Sequence, residues 1–95
     1  MNSKKYIVMV DDNFHFMDSS ERYKHGEYRT MQEAISTCKK IVDESLADNY
    51  KAGMSPKQLY ASYCMFGEDP YVDSNEKSNF SAWDYALGQS KIIAV

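Results

Sequence analysis

Glycine and proline are scarce in this chain, with four of the first and two of the second. That excludes a proline-rich linker, and no glycine stands in a GxGxxG, P-loop or GxSxG pattern that would cradle a phosphate or expose a nucleophile. Cysteine and histidine are limited to two residues each. Cys38 and Cys64 have no CxxC partner and the histidines lack matching spacing, so a cysteine-based zinc site is excluded. Both cysteines fall on apolar helix faces and read as buried free thiols acting as small hydrophobes. Apolar runs are short: the longest covers five residues, Tyr6 to Val10, against about 20 for a membrane-spanning helix. No signal peptide is legible, and the expected setting is the cytoplasm, with no membrane association. Basic charge is not in excess either. Eleven Lys and Arg against 14 Asp and Glu leave a net charge of −3. The basic residues come singly or in pairs, which argues against nucleic acid as a partner, because phosphate contacts dominate that affinity.

What is present belongs to one globular domain over residues 1–95. Its 43% hydrophobic content is too high for a disordered tail. Tyr6, Ile7, Val8, Met9 and Val10 form the clearest strand, within residues 4–11. Apolar residues on both of its faces predict a central place in the sheet. Residues 12–21 read as a loop or irregular extension. A second strand is expected near residues 22–29, antiparallel to the first and bulged at Gly26.

Three helix starts are written in the chain. Thr30 with Glu33, Ser55 with Pro56 and Gln58, and Ser81 with Asp84 each give a capping residue and its partner three positions on. Met31, Ala34, Ile35, Cys38, Ile41, Val42, Ser45 and Leu46 then make one stripe about 140° wide along the first helix. It runs to about Asn49. Leu59, Tyr63 and Phe66 line the second helix, and Gly67 stops it. Glu68, Asp69 and Pro70 read as a turn, and Tyr71 with Val72 as a short third strand. In the third helix Trp83, Ala86, Leu87, Ser90 and Ala94 share a face, while Tyr85 and Ile92 point the opposite way. Residues 91–95 read equally as helix end or as strand. The expected fold is α+β: a small two- to three-stranded, mainly antiparallel sheet with three helices packed mainly on one face.

Four groups of residues are candidates for function. Asp11, Asp12, His15 and Asp18 follow the end of the central strand, where carboxylates and imidazole can hold a metal or a small ligand or share acid–base work. The same residues also suit a plain turn. Eight tyrosines in the chain suit either a small core or a binding surface. Trp83, at the start of a helix, either lines a pocket or anchors the core. Tyr85 and Ile92, on the second face of the last helix, are candidate interface residues for a protein partner or a second copy.

Residues 10–18, 20–23, 26–30, 65–70 and 80–85 together resemble a family of small bacterial proteins of about this length and of unknown function. The resemblance implies a stand-alone domain and brings no activity, ligand or site. Gly26 to Ile35, where a strand pair ends in glycine and threonine before a Glu-Ala helix, is similar to antitoxins of the HicB type. With no catalytic motif in the chain and no cofactor implied, the expectation is a non-catalytic interaction module that binds a protein partner or itself. The alternative is a metal- or small-ligand-binding protein, or an enzyme, that uses the Asp11, Asp12, His15 and Asp18 loop.

Overall fold

The computed structural model describes residues 5–13, 22–75, 78 and 80–94. Along the chain these form β1 (Tyr6–Asp12), β2 (Tyr23–Tyr28), α1 (Met31–Asn49), α2 (Pro56–Phe66), β3 (Glu68–Asp73) and α3 (Ala82–Ile93). The sheet order is β2-β1-β3, and both pairings are antiparallel. The fold is α+β as expected, with the apolar strand at the centre.

Alternation along β1 sets which side is covered. Tyr6, Val8 and Val10 are buried against Ala34, Cys38 and Ile41 of α1. Ile7 and Met9, on the other side, are only half-buried. The bulge in β2 lies where the register shifts between Val8 and Met9. Val8 faces Gly26 and Met9 faces Lys24, so the extra residue is His25, next to the expected glycine.

α1 lies across the sheet, and α2 and α3 pack against it and each other in a second cluster built on Val42, Leu46, Leu59, Tyr63 and Ala86. Six of the eight residues of the expected α1 stripe are buried, and Met31 and Ile35 are half-buried. The three caps are in place. The side chains of Thr30, Ser55 and Ser81 accept from the amides of Glu33, Gln58 and Asp84. Only α2 completes the reciprocal box, the Ser55 amide donating to Gln58 Oε1 at 2.8 Å.

Two expectations need correction. Glu68, Asp69 and Pro70 are not a turn; they open β3, pairing with Asp12, Asp11 and Val10. Turn chemistry is overridden because β3 is an edge strand, where a proline removes no essential ladder bond. Gly67 stops α2 as expected, with no left-handed turn, at φ −79°. A Cβ there would strike the Tyr63 ring and come within 2.7 Å of the Tyr63 carbonyl oxygen. The glycine is needed for close approach. Leu87 does not share the buried face of α3; it is exposed, and Ala82, Ala86 and Ser90 fill that face instead. Residues 91–93 continue the helix rather than forming a strand.

Candidate functional site

The end of the sheet brings together residues far apart in the chain. The β1–β3 register sets Asp11 opposite Asp69 and Asp12 opposite Glu68. Like charges directly opposite one another destabilise a strand pair, so two consecutive acid–acid pairs are a costly arrangement. Asp11, Asp69 and Glu68 are each handled differently. Arg22 clasps Asp11 with two bonds, Nε to Oδ1 at 2.5 Å and Nη2 to Oδ2 at 3.2 Å. That bond, helped by the Tyr71 ring 5.6 Å from the guanidinium carbon, holds Arg22 in its charged form and raises its pKa. Asp69 is half-buried, and burial pushes its pKa up. A hydrogen bond from the Trp83 side chain opposes that shift, and the Asp11 charge adds to it. Glu68 receives a hydroxyl: Tyr23 donates to its Oε2 at 2.5 Å. Burial first, and that bond second, push the Tyr23 phenol up to about 12.

Around Glu68 lies an open cleft of about 440 Å³, lined by Val10, Asp11, Asp12, Tyr23, Phe66 and Glu68. Tyr23 is 47% exposed, Phe66 54% and its neighbour Met65 59%. Buried hydrogen bonds position these walls. The Asn13 amide donates to the Gly67 carbonyl, and Asn13 Nδ2 donates to the Tyr63 carbonyl, each at 3.0 Å. The end of β1 is thereby tied to the end of α2, which carries Phe66. Asn13 Oδ1 is buried and has no hydrogen-bond partner among the described residues. The Glu68 amide donates to Ser45 Oγ at 3.1 Å, fixing the start of β3 to α1.

Of the loop residues named from the sequence, Asp11 and Asp12 are in β1, while His15 and Asp18 lie outside the described residues. Consecutive strand residues point to opposite faces, so Asp11 and Asp12 do not converge on one point. Among the described residues, no three His, Cys, Asp or Glu side chains form a group that could hold a metal ion. Trp83 packs on the helical cluster and lies outside the cleft, although its bond to Asp69 links it to the same strand end. Tyr85 faces α1: its hydroxyl donates to Asp43 Oδ2 at 3.0 Å, and Lys39 lies over its ring. Ile92 is 67% exposed. Two tyrosines, Tyr6 and Tyr63, are core, and two, Tyr23 and Tyr50, are exposed. Cys38 and Cys64 are free thiols. Burial pushes Cys38 up to about 11, which leaves it a poor nucleophile.

Sequence reasoning missed Glu68 and Phe66 as site residues and held Tyr23 only as one of eight tyrosines suited to a core or a binding surface. The acids that follow the α2 stop were a signal, but only the strand register shows which residues they face. No helix of the described residues is long and apolar enough to cross a membrane. Comparison with family models, with curated proteins and with solved structures finds no match.

Proposed function

We propose that the protein is a small non-catalytic interaction module of the cytoplasm that binds a protein partner at the end of its sheet. The observation that carries this reading is the exposure of Tyr23, Met65 and Phe66 beside an open cleft floored by Val10. Aromatic residues and methionine are enriched at protein interfaces, and a contiguous apolar patch rimmed by polar groups marks a docking site. Neither described thiol is activated: Cys38 and Cys64 are partly or fully buried, and burial raises both pKa values.

The test is a photo-reactive residue in place of Phe66, expressed in the host cell, with the same residue in place of Leu87 as control. A discrete adduct from position 66 that position 87 does not give is the expected result. No adduct from position 66, or the same adducts from both positions, overturns the reading.

A further inference from the structure

The last helix leaves a second uncovered face, separate from the cleft. The exposed residues of α3 are Asp84, Leu87, Gly88, Lys91 and Ile92. At 3.6 residues per turn they fall within about 140° of one another, opposite the buried row of Ala82, Ala86 and Ser90. None of them lines the cleft. Leu87 is 42% exposed, Ile92 is more so, and the space above Gly88 is open, with nothing within 4 Å of where a Cβ would stand. Among the described residues the ion pairs lie along the sheet, and neither Asp84 nor Lys91 belongs to one. Burial first, then Cys64 and the Asp84 charge, raise the Tyr60 pKa, so the group beside Asp84 is a neutral phenol and not a cation.

We infer that α3 pairs with α3 of a second copy, antiparallel about a two-fold axis between Leu87 and Gly88. The order of charges carries this. A two-fold contact is self-complementary: where one residue meets another, the second meets the first. Asp84 and Lys91 lie equally far on either side of that axis, so each Asp84 comes level with the Lys91 of the other copy. The same symmetry brings the two Gly88 residues to the middle, where the missing side chains let the backbones approach closely. It sets the two Leu87 side chains against each other along one border, and Ile92 lies along the other. A parallel pair would set Asp84 against Asp84 and align the two helix dipoles, so the antiparallel sense is favoured. One pair of 12-residue helices is about 18 Å long, a small contact. With a net charge of −3 on each copy, the dimer is weak, with a Kd on the order of 0.1 mM.

Sedimentation equilibrium of the full chain from about 10 µM to about 1 mM, in about 0.15 M salt, tests this. The average mass is expected to climb from 11.0 kDa toward twice that value. Asp84→Lys alone, or Lys91→Glu alone, sets like charges opposite each other and should weaken the dimer about tenfold. An equimolar mixture of those two variants restores opposite charges at both contacts and should bind as tightly as the parent. A folding defect in either variant would not be rescued by mixing. Gly88→Ala should also weaken the dimer about tenfold by holding the backbones apart. Its added methyl group meets nothing inside its own chain, so the fold is spared. A photo-reactive residue at position 87 gives a product of twice the chain mass at these concentrations, unlike the partner adduct expected at position 66. A chain that stays monomeric at about 1 mM overturns the inference. So does a dimer that both charge variants leave equally tight, or one that the mixture fails to restore. Either failure leaves the docking reading untouched, and a missing adduct at position 66 leaves the helix pair untouched.

Discussion

The Tyr63 hydroxyl donates to the carbonyl oxygen of Glu68 at 2.7 Å, and its ring closes over Gly67 between them. One buried side chain thus holds the end of α2 to the start of β3. Burial raises the Tyr63 pKa, so the hydroxyl keeps its proton for this bond. Gly67→Ala puts a methyl group into the Tyr63 ring and should cost about 1–3 kcal/mol, as overpacking in a filled site does. Urea unfolding measures it, and an unchanged midpoint would contradict the packing described.

Gly88 gives the opposite result. It is exposed within α3, and a Cβ there meets nothing within 4 Å. Gly88→Ala should therefore add about 0.5–1 kcal/mol, from helix propensity and reduced freedom of the unfolded chain. A higher urea midpoint with an unchanged slope is the expected outcome.

Asp69 makes the stability depend on pH. Its folded pKa is raised above the ordinary 3.8, chiefly by burial. Between those two values the folded protein holds a proton that the unfolded chain has lost. Stability therefore falls as pH rises through that window and stays lower above it. Asp69→Asn should remove this slope and raise stability at neutral pH, while its carbonyl still accepts from Trp83. Trp83 is the single tryptophan, so its fluorescence reports unfolding at the site itself. A parent and variant with parallel pH profiles would refute the assignment.

Tyr85 acts at the alkaline end. Burial, with the bond to Asp43, pushes its phenol from 10 up to about 12. The folded state keeps this proton longer than the unfolded one, so the folded state loses stability as pH climbs from 10 toward 12. Tyr85→Phe should cost about 1 kcal/mol at neutral pH through the lost hydrogen bond. It should also lessen the alkaline loss. Thermal melts at neutral and alkaline pH separate the two effects.

The helices were legible because their signals are local. Thr30, Ser55 and Ser81 each satisfy an amide three residues on, and the apolar stripe of α1 repeats at the helical period. β1 was legible as central because both its faces are apolar. β3 was only half legible, because Asp69 and Pro70 carry turn chemistry and their strand conformation comes from pairing with Asp11 and Val10, far away in the chain. The site followed the same division. Asp11 and Asp12 could be named from their place after an apolar run. Glu68 and Phe66 could not, since their nearness to Tyr23 depends on the β1–β3 register and on the Asn13 bonds to α2.

Phe80 packs on both hydrophobic clusters, the one beneath the sheet and the one among the helices. α1 also supplies both, with Ala34, Cys38 and Ile41 to the first and Val42 and Leu46 to the second. Two cores with no common member melt in two steps. A ring wedged between them just ahead of α3, together with a helix common to both, makes the loss of either withdraw support from the other. The two clusters are therefore expected to melt in one cooperative transition. Such coupling disfavours a half-melted species with the apolar face of β1 stripped of its helix and open to pairing with neighbouring chains.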